Sequence, residues 1–271
     1  MRTHWSKSAP NIQWTAEVCP KTPRKKLEIP SKWAETQFKF TATKIQKQVL
    51  DANTKRLILC CNRQWGKSTI IALKALHYAL ENPKSAIVVI SKTEKQGGEL
   101  ITRIRNFASL MPIPDKRVPG YDYSLQLPNE SKIYAIAHST DSAPSRTANI
   151  VIYDEAARVS DEMFSATLPF IATTNGHVWI LSTPNGEVGF FYNFWHDRDP
   201  QWTKIFSTVD DCPTIQKDFL DLHKRANPRL FEQEFYCKFK PAPGALVSRD
   251  FIRRAYDPAL SARKLPPLRP R

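Results

Sequence analysis

Residues 57–69 have the sequence Leu-Ile-Leu-Cys-Cys-Asn-Arg-Gln-Trp-Gly-Lys-Ser-Thr, an apolar run followed by a polar loop and then Gly-Lys-Ser. A strand that leads through such a loop into a helix is the layout of a phosphate-binding loop. In this layout Lys67 reaches the outer phosphates, Ser68 ligates Mg²⁺, and Gly66 lets the backbone approach closely. Cys61 stands where the usual pattern has its first glycine. The alternative is therefore an ordinary strand, loop and helix start with an exposed lysine.

A second apolar strand, residues 150–153, ends in two neighbouring carboxylates, Asp154 and Glu155. The acid at such a strand end holds Mg²⁺ in phosphate-loop enzymes, and we predict this role for Asp154. Glu155 points elsewhere and is predicted to orient or activate the attacking water. An acidic helix start is the alternative, since Asp and Glu often cap helices. The two motifs together favour a nucleotide hydrolase.

Two further segments fit a nucleotide site. The apolar run at residues 177–181 ends in Ser182 and Thr183, whose hydroxyls would sense the outer phosphate beside the acidic strand. An ordinary turn after a strand is the alternative. Gln46 lies in a helical pattern before the loop, and its amide both donates and accepts, so it is suited to the adenine edge. A surface glutamine on an amphipathic helix is the alternative.

The overall charge indicates a polyanionic partner. Forty basic residues face 26 acidic ones in 271 residues, a formal net charge of +14. Nucleic acid is the partner that such an excess predicts, and charge for solubility is the alternative. The five cysteines form no Cys-x-x-Cys pair, which indicates unbridged thiols in a reducing compartment. No apolar run approaches membrane-spanning length, so we expect a soluble, intracellular protein without a membrane partner.

Apolar strands alternate with helical patterns, which predicts an α/β fold with a mainly parallel sheet and ligands at the carboxyl ends of its strands. Helices are expected at 94–110, 214–226 and 228–237. The basic, Pro-rich beginning is predicted to be an irregular arm that packs its aromatic residues on the body, with stacking on single-stranded bases as the alternative. The predicted divisions are a basic arm (1–40), an ATPase core (41–209), a helical lid or linker subdomain (210–250) and a linker (251–271).

This set of motifs resembles the ATPase domain of the large terminase subunit of tailed bacteriophages, a motor that packages DNA. The resemblance covers about residues 40–250 and is carried by Gln46, Arg63–Ser68, Asp154–Ala156 and Ser182–Pro184. It implies an α/β P-loop NTPase fold of the ASCE type, with a mainly parallel sheet flanked by helices and a small helical lid. It also implies ATP and Mg²⁺ as cofactors.

The resemblance assigns roles to particular residues. Glu155 becomes the catalytic carboxylate, and Arg63 an additional charge that contacts the outer phosphate or senses its loss. Arg146 resembles the arginine that reaches the nucleotide of a neighbouring subunit, and Arg158 is the alternative. The expected nucleotide contacts are Gln46, Cys61, Asn62, Arg63, Gln64, Trp65, Gly66, Lys67, Ser68, Thr69, Ser182 and Thr183, and the expected metal ligands are Ser68 and Asp154.

The same resemblance implies partners and a place of action. These are double-stranded DNA, a small terminase subunit and a portal protein, in the cytoplasm of an infected bacterium. A homo-oligomeric ring is implied for the assembled motor, and a monomer for the isolated domain. Family members carry a C-terminal nuclease domain, which is expected to begin where this chain ends. We therefore expect no nuclease activity from this chain.

Three other functions fit parts of the pattern. A helicase-like DNA translocase shares the Gln, Asp-Glu and Ser/Thr motifs, but it needs a second RecA-like domain for which little chain remains. A nucleic-acid-binding scaffold with an inactive P-loop would explain Cys61. A nucleotide kinase would use the loop but leaves the positive charge unexplained.

Overall fold

A computed structural model describes residues 26–136, 146–212 and 214–241. The strands are β1 (Arg56–Cys61), β2 (Ala86–Ile90), β3 (Ser124–Gln126), β4 (Lys132–Ile136), β5 (Ile150–Asp154), β6 (His177–Ser182) and β7 (Thr203–Ser207). The α-helices are α1 (Pro30–Phe38), α2 (Lys44–Asp51), α3 (Lys67–Glu81), α4 (Glu94–Ser109), α5 (Asp161–Thr167), α6 (Gly189–His196), α7 (Lys217–Ala226) and α8 (Pro228–Phe235).

The strands form one sheet in the order β3-β4-β2-β5-β6-β1-β7. Each neighbouring pair is parallel except β3 and β4. β6 is therefore an additional strand between the phosphate-loop strand β1 and the acidic strand β5. This arrangement confirms the predicted α/β P-loop fold with a mainly parallel sheet.

Both faces of the sheet are covered, because the central strands are apolar along nearly their whole length. Leu57 and Leu59 of β1 face a core that is closed by α1–α4, whereas Ile58 and Cys60 face the core on the α5–α6 side. Helices on both faces leave the ends of the strands open. The carboxyl ends are therefore available for a ligand.

The predicted arm differs from the structure in its last residues. Pro30–Phe38 form helix α1 rather than irregular chain, and Trp33 and Phe38 lie in the core. Pro30 begins the helix, where its missing N–H is tolerated. The expected packing of aromatic residues on the body thus occurs here through a helix. Trp5 and Trp14 lie outside the described residues.

The predicted helices are found with shifted ends. The helix expected at 94–110 is Glu94–Ser109, and those expected at 214–226 and 228–237 are Lys217–Ala226 and Pro228–Phe235. Among the described residues, no helix is both long and apolar enough to cross a bilayer.

Candidate nucleotide site

The register of the parallel strands places the predicted motifs in one row. Asp154 pairs with Leu181 in β6, and Cys60 pairs with Ser182. Neighbouring strands lie about 4.8 Å apart. The phosphate loop, the acidic pair and the Ser-Thr motif therefore meet at the carboxyl edge of three adjacent strands, although they are far apart in sequence.

The loop itself has the backbone geometry of an anion cradle. Gly66 adopts a φ of +93°, a left-handed value that favours glycine, and it immediately precedes α3. Gln64 is also left-handed, with φ +64°. Lys67 is 7% exposed, and its Nζ donates to the carbonyl oxygens of Cys61 and Asn62 at 3.1 and 3.0 Å. Ser68 and Thr69 are half-buried in the first turn of α3, where N–H groups lack helical partners.

Cys61 is compatible with this geometry because its position does not need a glycine. It is the last residue of β1, it is fully buried in the core, and it is absent from the residues with positive φ. Its contribution to the loop is its carbonyl oxygen, which any residue supplies. The loop is thus intact despite the departure from the usual pattern.

Replacing Cys61 by glycine, which restores the usual pattern, is expected to lower the free energy of unfolding by about 1–2 kcal/mol, because it removes a buried side chain and frees the unfolded backbone. Nucleotide affinity should stay within about twofold, and Cys61→Ala should destabilise the fold less than glycine does. Denaturant unfolding and equilibrium nucleotide binding measure the two quantities. A clear gain in affinity for Cys61→Gly would show that the position does require glycine.

The loop is anchored to the body on two sides. Trp65 is buried in the core, and its carbonyl oxygen accepts a 2.9 Å hydrogen bond from Gln46 Nε2. Gln46 Oε1 accepts from the backbone N–H of Thr43 as part of a capping box at the start of α2. Asn62, fully buried, donates its backbone N–H to the Ser207 carbonyl of β7. The structure brings Gln46 to the loop, and its role as adenine reader stays a prediction.

The acidic pair has two different environments. Burial, together with the neighbouring Glu155 carboxylate, raises the pKa of Asp154 to about 7, against the opposing effect of the Lys67 cation. Glu155 is half-buried and left-handed, with φ +51°. This sparsely populated conformation turns the chain sharply after β5, and such strain is concentrated at functional sites. Asp154 is thus buried toward the loop lysine, while Glu155 stays accessible.

Asp154→Asn is expected to make the unliganded fold more stable at pH 8, because asparagine keeps the acceptor for Glu155 N–H without burying a charge. An unfolded Asp loses its proton near pH 4, whereas folded Asp154 holds its proton until about pH 7. Wild-type stability therefore falls as the pH rises across that window. The gain in the free energy of unfolding of Asp154→Asn over wild type should be complete above pH 7 and absent below pH 4.

At roughly 1.4 kcal/mol per pKa unit, the stabilisation is about 4 kcal/mol and raises the thermal midpoint by roughly 10 °C. Thermal melts of the nucleotide-free protein at pH 8 and pH 4 measure it. The exposed Asp218→Asn on α7 is the matched control. Equal midpoints for wild type and Asp154→Asn at pH 8 would contradict the argument.

The Ser-Thr motif is tied to the turn that carries the acids. Ser182 Oγ accepts a 3.1 Å hydrogen bond from the backbone N–H of Ala157 and donates to the Thr183 carbonyl oxygen at 2.7 Å. Asn185 Nδ2 contacts the Ala157 carbonyl oxygen at 3.4 Å. Hydrogen bonds therefore join the end of β6 to the turn after the acidic pair.

Arg63 contacts helix α8 rather than standing alone in the loop. Its Nη1 donates to Glu234 Oε1 of α8 at 2.8 Å, and its backbone N–H donates to the Glu234 carbonyl oxygen, also at 2.8 Å. The Arg63 side chain is 61% exposed, whereas that of Glu234 is 7% exposed. His223 Nε2 of α7 lies 3.6 Å from Glu234 Oε2. Nothing in the local sequence predicts Glu234, because it lies 171 residues from Arg63.

The two candidate trans-acting arginines have different surroundings. Arg146 is half-buried, with its guanidinium 5.4 Å from the centre of the Tyr121 ring, and its Nε has no hydrogen-bond partner among the described residues. Arg158 is exposed in a short 3₁₀ turn directly after the acids. The rest of the polar loop before β5, residues 137–145, lies outside the described residues. The assignment of Arg146 stays a prediction.

The donor set suits a hard cation such as Mg²⁺. Ser68 offers a hydroxyl and Asp154 a buried carboxylate, whose pKa is raised by burial and by the neighbouring Glu155 carboxylate. Magnesium is usually held by one or two protein oxygens, with waters and substrate phosphates. In the described ranges no cluster of three or more His, Cys, Asp or Glu side chains is suited to a metal.

Comparison with known proteins identifies relatives of this chain. A family model described as terminase large subunit, T4-like virus type, N-terminal, matches residues 59–254. The terminase large subunit of Escherichia phage T5 is 26% identical over 204 residues, which cover 72% of this chain and 46% of that protein. That of Thermus virus P23-45 is 25% identical over 170 residues, covering 55% of this chain and 35% of that protein. The chain thus spans about half or less of the length of these relatives.

Solved structures share the fold. The large terminase ATPase domain of Thermus phage P74-26 superposes with a TM-score of 0.65 at 21% identity, covering 79% of this chain and 100% of that chain. The large terminase of another thermophilic bacteriophage, in complex with ADP, gives a TM-score of 0.64 at 14% identity, over 73% of this chain and 54% of that chain. Since the family model matches well over half of its residues, the chain belongs to the family of terminase large subunits, in their T4-like N-terminal part.

Proposed function

We propose that this chain is the Mg²⁺-dependent ATP-hydrolysing motor domain of a terminase large subunit. The carrying observation is the carboxyl edge of the sheet, where a phosphate loop, a buried Asp154 with an accessible Glu155, and Ser182 lie on adjacent strands. Family membership and the fold shared with terminase ATPase domains support the same function.

The reaction is ATP plus water to ADP plus phosphate. Lys67 and the N–H groups at the start of α3 bind the phosphate chain, and Glu155 accepts the proton of the water whose oxygen attacks the γ-phosphorus as the β–γ bridging bond breaks. Ser68 and Asp154 would hold Mg²⁺ together with the phosphates, and the metal would neutralise part of the phosphate charge. Arg63 adds a second positive charge from within the loop.

Hydrolysis is proposed to move two elements. The Ser182 hydroxyl accepts a hydrogen bond from the Ala157 N–H in the turn after the acidic pair. Loss of phosphate beside the acidic pair would therefore shift the end of β6. The pair of Arg63 with Glu234 joins the loop to α8, the last helix of the small helical subdomain. Motion of this lid-like pair of helices follows from a change at the loop.

The whole protein is proposed to translocate double-stranded DNA into a procapsid in the cytoplasm of an infected bacterium. The net charge of +14 on this chain suits binding of a phosphate backbone without reading sequence. The further proposed partners are a small terminase subunit and a portal protein. A trans-acting Arg146, or Arg158 in its place, requires neighbouring copies in a closed ring, whereas the isolated domain acts as a monomer.

Phosphate release by the purified chain tests the activity. Turnover should require Mg²⁺ and ATP, should vanish when EDTA replaces Mg²⁺, and should rise when double-stranded DNA is added. Phosphate release that is no higher with Mg²⁺ than with EDTA would overturn the ATPase assignment. Activity with Mg²⁺ that DNA leaves unchanged would count against the DNA-coupled motor.

A further inference from the structure

The side chain of Arg103, in the second half of α4, lies against the first turn of the phosphate-loop helix. Its Nη1 donates to Thr69 Oγ1 at 3.0 Å. Thr69 follows Lys67 and Ser68 directly, at the end of α3 toward which the phosphates point. This hydrogen bond therefore places a second guanidinium at the cradle, from an element outside the nucleotide motifs.

Arg103 has no counter-ion inside the described protein. No described carboxylate lies within ion-pair distance of Arg103, whereas Arg105 on the same helix pairs with Asp115. Arg103 is exposed and has further N–H donors beyond the one given to Thr69. An unpaired, planar, multi-donor cation next to a helix N-terminus is suited to a phosphate oxygen.

The face of α4 that carries Arg103 borders a surface cavity. The walls of this cavity include Gly98, Thr102, Arg103 and Tyr123. Arg103 therefore has open space beside it into which its guanidinium can move.

We propose that Arg103 is a phosphate-binding residue that contacts the α-phosphate of the bound nucleotide. The position of Thr69 indicates which phosphate: Lys67 reaches the β- and γ-phosphates and Ser68 the metal. This leaves the α-phosphate for the next position along α3, where Thr69 lies. Arg103 also accounts for the orientation of Thr69, because the threonine oxygen accepts from Arg103 and leaves its own hydroxyl hydrogen to donate to the ligand. This inference rests on the proposed nucleotide-binding function.

An α-phosphate contact has a particular signature. ADP and ATP share the α-phosphate, and hydrolysis does not change it, so the contact is equally strong before and during the reaction. Loss of Arg103 should therefore weaken the binding of ATP and of ADP by the same factor and raise KM, with kcat nearly unchanged. If Arg103 contacted the γ-phosphate instead, its loss would weaken the binding of ATP more than that of ADP and would lower kcat.

Equilibrium binding of ATP and ADP to wild type, Arg103→Ala, Arg103→Lys and Lys132→Ala tests the proposal. Arg103→Ala should weaken the binding of both nucleotides about tenfold, the size expected for one charge-assisted hydrogen bond, and Arg103→Lys should recover part of the loss. Lys132→Ala is the matched control, because it removes an exposed cation at the amino end of β4, at the opposite edge of the sheet from the phosphate loop, and should bind as wild type does. Thermal melts verify that each variant is folded.

The outcomes separate this inference from the proposed function. Wild type that binds neither nucleotide would overturn the function itself. Wild type that binds both, with Arg103→Ala binding equally well, would overturn only the role of Arg103. If Arg103→Ala weakened the binding of ATP but not that of ADP, the assignment to the α-phosphate would be overturned.

Discussion

Glu155→Gln is expected to lower ATP turnover at least about a hundredfold, the range that general acid–base groups contribute, while ATP affinity stays within about threefold of wild type. Glutamine has nearly the same shape but cannot accept the proton of the attacking water. Glu155 is half-buried whereas Asp154 is buried, so we expect the charge of Glu155 to act on the attacking water more than on the metal. Single-turnover phosphate release and equilibrium ATP binding measure the two effects.

The matched control is Glu130→Gln, which makes the same chemical change at an exposed pair with Lys84, in the turn before β4. Exposed pairs of this kind contribute little to stability, so this variant should turn over ATP as wild type does. Wild-type turnover no higher than that of Glu155→Gln would remove both the catalytic role of Glu155 and the motor interpretation. Equal losses of affinity and turnover would show that Glu155 serves binding instead.

Local sequence was enough to predict that the motifs lie together, because each of them follows an apolar strand that ends in polar side chains. Parallel strands bring such ends to one edge, so Lys67, Asp154 and Ser182 needed only correct strand assignments to be placed together. Cys61 shows the limit of a motif. The pattern marks it as a missing glycine, whereas the backbone there is extended and makes no such demand.

The unpredicted parts depend on tertiary packing. Arg63 contacts Glu234 of α8, and Thr69 contacts Arg103 of α4. These contacts form only when the fold packs the two helices beside the loop. Strand β7 was not predicted, because it is a half-exposed edge strand without a continuous apolar run. The helix Pro30–Phe38 was assigned to an irregular arm from its proline-rich surroundings, but burial of its aromatic side chains stabilises it there.

Lys67→Ala and Arg63→Ala are expected to separate binding from catalysis. Lys67 is buried beneath the loop and points its ammonium at the loop carbonyls, so its loss should weaken ATP binding more than about tenfold and abolish turnover. Arg63 extends from an exposed position, so its loss should reduce turnover about a hundredfold or more but ATP affinity by less than about threefold. Comparing the Kd for ATP with kcat for both variants measures the difference.

Arg63→Ala also removes the ion partner of a buried carboxylate, and this second effect needs its own control. Glu234 would be left without its arginine in a site where it is only 7% exposed, which lowers stability. The double variant Arg63→Ala/Glu234→Gln removes that unpaired charge. If its thermal midpoint recovers while its turnover stays as low as that of Arg63→Ala, the lost activity reflects the missing cation at the phosphate. Recovery of turnover in the double variant, or equal loss of ATP binding in Lys67→Ala and Arg63→Ala, would instead assign Arg63 to holding the loop on α8.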